Sequence, residues 1–316
     1  EIVILDLIDP PAENVHDRFV KGDIRDRAAC DAAFAGCDLV FHLAAAHHDF
    51  GIEERTYYDV NEGGARVLCD AMDAAGITRC VFYSTVAVYG EAAEPIDEST
   101  PPSPINPYGA SKLKGEEVFR DWCGGGGGRE CLVIRPTVTF GPRNFANVYS
   151  LIRQIHSGKY ATVGAADNVK SLSYVENIVD ATFFLLQRRA EGGGEAFDVY
   201  NWVEKPDLTS HGIAAAIFRS MDRRMPSWRI PMWAARGMVL PFDLVIALTG
   251  KNLPISGARV HKLFAAQTKF EASKAREAGY EPSISLEEGI DRMVKWDLAG
   301  GKDEAAEWHQ PPAEVV

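Results

Sequence analysis

Cys80-Val81-Phe82-Tyr83-Ser84-Thr85 is a short apolar run that ends on two adjacent hydroxyls. It is too short for a helix and apolar on both alternating faces, as a strand covered by helices on each side requires. Outward from it the pattern returns. Ile2-Val3-Ile4-Leu5 ends in Asp6, Leu39-Val40-Phe41 leads into His42-Leu43-Ala44-Ala45, and Leu132-Val133-Ile134 ends in Arg135-Pro136. Between these runs lie helix-like stretches at Asp26–Ala35, Asp59–Ala75 and Tyr108–Trp122. Strands alternating with helices predict an α/β fold with a doubly wound parallel sheet.

After Pro142 the rhythm changes. Val148–His156 and Val175–Arg188 read as helices and Phe197–Tyr200 as a strand; beyond them the chain reads as a smaller, mostly helical lobe. The predicted division gives residues 1–146 to the sheet domain, with 171–200 returning to it, and 147–170 with 201–316 to the lobe. The glycine run Gly124–Gly128 follows a helix and precedes a strand. A phosphate cradle needs the reverse order, so this run and Gly192–Gly194 read as flexible surface linkers.

Composition narrows the function. Of 316 residues, 46% are hydrophobic and 25% charged, a globular balance. Lys+Arg 33 against Asp+Glu 45 leaves −12, which disfavours nucleic acid or an anionic membrane as partner. Six cysteines without a CxxC pair read as reduced thiols in a cytoplasmic protein. The opening is strand-like, without the basic segment of an export signal. The most apolar long window, 232–250, holds Arg236, Pro241 and Asp243, which argues against a transmembrane helix. His47-His48-Asp49 and Glu53-Glu54 lack the spacing of a metal site, and none is expected.

The residues that carry chemistry are Thr85, at a strand end, and Tyr108-x-x-x-Lys112, on a helix that Pro107 can open. Four residues apart, Tyr108 and Lys112 share one helix face. A free phenol is a poor base at pH 7, and an ammonium beside it favours its ionised form. The Thr85 hydroxyl is placed to hold the substrate oxygen on which Tyr108 acts.

Ser84-Thr85-Val86-Ala87-Val88-Tyr89-Gly90 and Asn106-Pro107-Tyr108-Gly109-Ala110-Ser111-Lys112 resemble the extended short-chain dehydrogenase/reductases. Within them the chain is similar to the nucleotide-sugar epimerase/dehydratase group with its UDP-galactose 4-epimerase-like members. Further matching motifs are His42-Leu43-Ala44-Ala45, Asn61-x-x-Gly64, Arg135-Pro136 with Gly141-Pro142, Tyr174-Val175-Glu176-Asn177, Ala272-Ser273-Lys274-Ala275 and Ser285-Leu286-Glu287-Glu288-Gly289. The resemblance implies a Rossmann-like sheet domain, NAD as cofactor and catalysis by Thr85, Tyr108 and Lys112. It gives Asp6 the adenosine ribose, where a carboxylate repels a 2′-phosphate and so favours NAD over NADP. Asp23 and Ile24 match the adenine contact, and Leu43, Ala44 and Ala45 the stretch under the pyrophosphate and ribose. His47 and Asn61 match cofactor-contact positions, and Tyr108 and Lys112 also reach the cofactor. Asn147, Lys170 and Arg259 match substrate contacts, with Thr85.

Several departures from the family bear on function. The family opens with a strand and a G-x-x-G-x-x-G turn ahead of the position of Asp6, whereas this sequence opens at the second strand. That strand is central to the family's sheet, so the sequence is expected to be N-terminally incomplete; otherwise NAD binding loses its pyrophosphate turn. Second, the 4,6-dehydratases carry Asp-Glu directly after the catalytic Thr; here Val86 and Ala87 stand there and neither moves a proton. Lys170 replaces a usual Arg and loses its bidentate fork, and Val138 replaces an Asn.

The expectation is therefore an NAD-dependent epimerase of a nucleotide-linked sugar, at carbon 4 through a keto intermediate. The alternatives are a one-way dehydrogenase or reductase of a sugar nucleotide or hydrophobic alcohol, like the 3-beta-hydroxysteroid dehydrogenases, and a non-catalytic NAD-binding regulatory protein. The surplus of apolar positions in 59–75 and 108–122, together with the resemblance, implies a homodimer built on those helices. Met232–Leu248 reads as lobe core, or as an apolar cover or surface for a lipid-linked substrate, in two short helices broken at Pro241.

Overall fold

The computed structural model describes residues 1–11, 13–47, 51–92, 95–235, 237, 240, 268–301 and 315. The first half alternates as the apolar runs require: β1 (Val3–Asp6), β2 (Arg18–Lys21), α1 (Arg27–Phe34), β3 (Val40–His42), α2 (Glu54–Tyr58), α3 (Gly64–Ala75) and β4 (Arg79–Tyr83). A π-helical turn at Asp59–Gly63 joins α2 to α3, and a 3-10 turn at Val86–Tyr89 follows β4. Then come α4 (Pro107–Gly124), β5 (Glu130–Pro136), β6 (Val138–Phe140) and α5 (Asn147–His156). Short strands β7 (Thr162–Val163), β8 (Val169–Lys170) and β9 (Leu172–Tyr174) precede α6 (Val175–Ala190) and β10 (Phe197–Trp202). The remainder holds β11 (Leu208–Thr209), α7 (Ser210–Ser220), β12 (Arg229–Ile230), α8 (Ser273–Glu277) and α9 (Leu286–Leu298).

Helix boundaries follow local chemistry. Asp26 caps α1 by accepting from the Ala28 amide at 2.9 Å. Asn106 caps α4 through the Gly109 amide at 2.8 Å, with Pro107 in the first turn. Ser285 caps α9, whose first turn carries Glu287 and Glu288.

The main sheet has the order β10-β5-β4-β3 and is parallel throughout. Its side chains alternate between two cores. Cys80, Phe82, Cys131 and Val133 point to the side of α1, α3 and α4, where Leu68, Met72, Phe119 and Trp122 meet them. Val81, Leu132, Ile134 and Tyr200 point to α6, against Ile178, Ala181 and Leu185. This two-sided cover explains why the strands are apolar on both faces. β1 and β2 form their own parallel ladder, and Val3, Leu5 and Val20 share the first core with Val40.

The lobe has a third core, in which Val148, Ile152 and Ile155 of α5 pack with Ile213 and Ile217 of α7 and Ile290, Met293 and Val294 of α9. The expected lobe range is not uniform, however: Ala275 of α8 and Tyr280 pack into the core beneath β10 and α6. The parallel ladder of β6 with β9, not anticipated from sequence, carries the chain between sheet and lobe. The glycine run after α4 turns through three left-handed residues, Gly126, Gly127 and Gly128, with φ of 77°, 74° and 72°, as a connector does. The apolar surplus of the two helices expected to form a dimer contact is absorbed inside the chain. Leu68, Cys69, Ala71 and Met72 of α3 and Val118, Phe119, Trp122 and Cys123 of α4 are all buried in the first core. Most of Met232–Leu248, including the break at Pro241, lies outside the described residues; of the rest, Trp233 and Leu240 are exposed and Ala235 is buried.

Candidate active site

Strand direction places the site. In a parallel sheet every strand ends on the same side, and the loops there are free to bind ligands. His42, Ser84-Thr85 and Arg135-Pro136 stand at or just beyond the ends of three neighbouring strands.

Thr85 has an extended backbone and caps the 3-10 turn. Its Oγ1 accepts from the Ala87 amide at 3.1 Å, which leaves the hydroxyl hydrogen for donation to a ligand. Tyr108 is half-buried in the first turn of α4, and Lys112 lies one turn further on at 1% exposure. α4 meets the Thr85 segment at very short range: a Cβ on Gly109 would lie 2.4 Å from the Ala87 carbonyl oxygen. No side chain fits at position 109 unless the backbone yields.

Lys112 is the least comfortable group in the site. Its Nζ sits 4.2 Å from the centre of the Phe82 ring, and no described residue supplies it with a hydrogen-bond acceptor. Burial pushes its pKa down to about 7, against the pull of the Glu116 carboxylate on the same helix face. Behind it, His42 stacks on Phe82 at 5.1 Å, and burial with the nearby Lys112 charge pushes its pKa down to about 3. His42 is therefore neutral, and its Nε2 is buried with no hydrogen-bond partner among the described residues.

Asn61 stands in the π-helical turn at 1% exposure. Its Oδ1 accepts from the Ala46 amide at 2.8 Å, and its Nδ2 donates to the Ala46 carbonyl at 3.0 Å and to Ser111 Oγ at 2.9 Å. Ser111 Oγ in turn donates to the Tyr108 carbonyl at 2.9 Å. Asn61 thus ties the loop after β3 to the helix of Tyr108. Such π turns cluster at functional sites because they redirect one side chain inward.

Thr85, Tyr108, Lys112, Asn61 and the 43–46 loop are thus linked through one set of contacts. Leu43 (64% exposed) and Ala44 lie open at the end of β3, with Ala45 half-buried. His47 is exposed, and its Nδ1 lies 3.2 Å from the Ala45 carbonyl. Asp6 is exposed at the end of β1, where its Oδ1 accepts from the Ile8 amide at 3.2 Å. Ile24 is buried against Ala46 and Val60, and the Asp23 carboxylate is engaged by Arg25 at 2.6 Å. Asn147 is exposed at the start of α5, and Lys170 lies in β8, paired with β11. Arg259 lies outside the described residues. Among the described residues no group of His, Cys, Asp and Glu is placed to hold a metal.

Sequence reasoning missed Glu116, which is fully buried beneath the site. Its spacing of four from Lys112 was the available signal, since that places the two on one face of the helix.

Comparison with known proteins supplies the family. The sequence model of the NAD dependent epimerase/dehydratase family matches residues 4–201. The N-acetyl-alpha-D-glucosaminyl-diphospho-ditrans,octacis-undecaprenol 4-epimerase of Escherichia coli O157:H7 is 40% identical over 282 residues, 89% of this chain and 84% of that protein. A 3beta-hydroxysteroid-dehydrogenase/decarboxylase of Arabidopsis thaliana, isoform 2, is 27% identical over 298 residues, 88% of this chain but 51% of that protein. Among solved structures, UDP-glucose 4-epimerase of Thermotoga maritima, with UDP-glucose, superposes at a TM-score of 0.72. Its identity is 20%, with 94% of this chain and 90% of that one covered, so it speaks for the fold alone. With its sequence matched to the family model over residues 4–201 and to the bacterial 4-epimerase over 89% of its length, the chain belongs to the NAD-dependent epimerase/dehydratase family.

Proposed function

We propose that the chain is an NAD-dependent 4-epimerase of a hexose carried on a diphosphate, the carrier being a nucleotide. The observation that carries this reading is Lys112: a buried cation on the helix face of Tyr108, with no acceptor among the described residues and Thr85 held opposite. A buried cation without an acceptor is costly, and ribose hydroxyls would supply acceptors there. The exposed carboxylate of Asp6 and the open backbone of Leu43 and Ala44 suit the rest of a dinucleotide, with Asn61 holding the loop in place and Asp23, Ile24 and His47 at its margins. NAD, when bound, supplies the acceptor for a hydride and its return.

The chain's own residues do the rest. Thr85 donates to the oxygen at carbon 4 and fixes it. Tyr108 takes the hydroxyl proton as the carbon–hydrogen bond breaks, and gives it back when the keto intermediate has turned over. Lys112 holds the ribose and stabilises the charge on the deprotonated Tyr108. Asn147, Lys170 and Arg259 are proposed to meet the diphosphate carrier. Val86 and Ala87 supply no acid or base, so water elimination is not expected.

The test is incubation with UDP-glucose, UDP-N-acetylglucosamine and N-acetylglucosaminyl-diphospho-undecaprenol, with the carbon-4 configuration read by NMR. Conversion of a nucleotide sugar supports the proposal. Conversion of the lipid-linked sugar alone moves the carrier to a lipid, as in the name of the bacterial relative. Lasting NADH formation without inversion would replace epimerase by dehydrogenase.

We further propose a cytoplasmic homodimer through the outer faces of α3 and α4, resting on the family resemblance. No described helix is long and apolar enough to cross a membrane, and all six cysteines are free thiols. Since α3 and α4 spend their apolar positions internally, the contact would be polar, formed around Arg66, Lys114 and Glu117. A dimer mass by light scattering at micromolar concentration is expected; a monomer mass removes this part of the proposal.

A further inference from the structure

The segment that carries Thr85 is gripped at both ends from below. Ser84, immediately before it, donates from Oγ to Glu116 Oε1 at 2.5 Å. Tyr89, which closes the 3-10 turn after it, accepts at Oη from Arg135 Nη1 at 2.7 Å and donates to Asn201 Oδ1 at 2.8 Å. The two grips are joined. Arg135 Nε donates to Glu116 Oε1 at 2.9 Å and Nη2 to Oε2 at 2.5 Å, a bidentate pair with Glu116 at 0% exposure. Glu116 also lies one helical turn beyond Lys112, on the same face of α4.

We propose that Glu116 is a positioning residue serving two groups at once: with Arg135 it fixes the Thr85 segment, and its negative charge keeps the positive charge on Lys112. The inference rests on the roles proposed above for Thr85, Tyr108 and Lys112.

The surroundings of Lys112 make the charge argument specific. From β3 it faces His42, which burial keeps neutral, and from β4 the Phe82 ring; beyond Glu116 lies the guanidinium of Arg135. On its own helix it faces Tyr108 and Glu116. Among the described residues, Glu116 alone opposes the burial that drives its proton off. A buried ion pair by itself is weak evidence of function, because such pairs contribute little net stability. Here the pair sits under both ends of the segment that holds Thr85, which a role in stability alone does not require.

The test reads the Lys112 proton directly. Lysine labelled with 13C at Cε, with the Lys112 signal assigned by its loss in Lys112→Arg, is titrated by NMR in the full chain without substrate. In parallel the alkaline limb of the pH–kcat profile is measured. In Glu116→Gln both are expected to move down by about one pH unit or more, since an opposite charge has been removed. In Glu116→Asp, which keeps the charge but shortens the reach to Ser84, the limb is expected to stay near wild type while kcat falls. Arg135→Gln, which leaves the Glu116 charge uncompensated, is expected to move both upward. If Glu116→Gln folds and neither quantity moves, the inference is overturned; if it does not fold, Arg135→Gln decides in the same way. Absence of epimerase turnover in the wild type would remove the functional proposal, yet the NMR titration would still judge the Glu116–Lys112 coupling, so the two fail separately.

Discussion

Tyr108→Phe is expected to lower kcat by at least ~100-fold, the lower range for a positioned acid–base group, while NAD binding stays within a few-fold of wild type. The substitution removes a single oxygen. What holds the helix start is untouched: the Asn106 cap on the Gly109 amide, the Ser111 hydroxyl on the Tyr108 carbonyl and the contact of Gly109 with Ala87 all involve backbone or other side chains. Val86 and Ala87, which follow Thr85, offer the proton on the carbon-4 oxygen no acceptor in its place. NAD affinity by fluorescence titration, beside single-turnover kinetics, separates the two effects. Activity within a few-fold of wild type would end the assignment of Tyr108 as the base.

Lys112→Met is expected to lose a comparable amount of activity and to gain stability. Burial takes the Lys112 pKa from 10.5 down to about 7, so the folded state holds this proton less tightly than the unfolded chain. Below pH 7 both states carry the proton, and the full cost of burying the charge is present. Between about pH 7 and 10.5 the folded state sheds it first, and the cost fades as pH rises. Methionine keeps the length, suits the face of Phe82 and removes the charge. Replacing a buried charge in this way stabilises by about 1–3 kcal/mol, which at this chain length is roughly 1.5–4.5 °C in Tm. The gain should be largest near pH 6 and shrink towards pH 10. A variant less stable than wild type near pH 6 would show that Lys112 is held by partners that offset its burial.

Much of this site is legible in the sequence because its signals are local. Asn106-Pro107 announces the start of α4 from cap chemistry, and the spacing of Tyr108 and Lys112 fixes their common face. The strands at 80–83 and 132–134 are apolar at every position, so burial on both sides follows directly. What was not legible depends on distant partners. Arg18-Phe19-Val20-Lys21 has only two apolar residues, and it becomes a strand through its pairing with Val3–Asp6. Val169-Lys170 and Thr162-Val163 are two-residue ladders, set by tertiary contact and not by propensity. The stretch 59–75 reads as one helix; the π turn at its start shows only in the way Asn61 reaches Ala46 and Ser111. Glu116 looks like a solvated helix carboxylate until Ser84 and Arg135, 32 and 19 residues away, are brought to it.

The backbone contact between Gly109 and Ala87 has an evolutionary consequence. Where helix and turn touch without a side chain between them, the spacing of the Thr85 and Tyr108 segments is set by direct backbone contact. The lobe of α5, α7 and α9 has its own core and so can be reshaped separately. Under the roles proposed for the lobe, Thr85 and Tyr108, drift in that lobe exchanges one sugar or carrier for another without re-aligning the two hydroxyls, so one reaction centre can be inherited intact by enzymes with very different substrates.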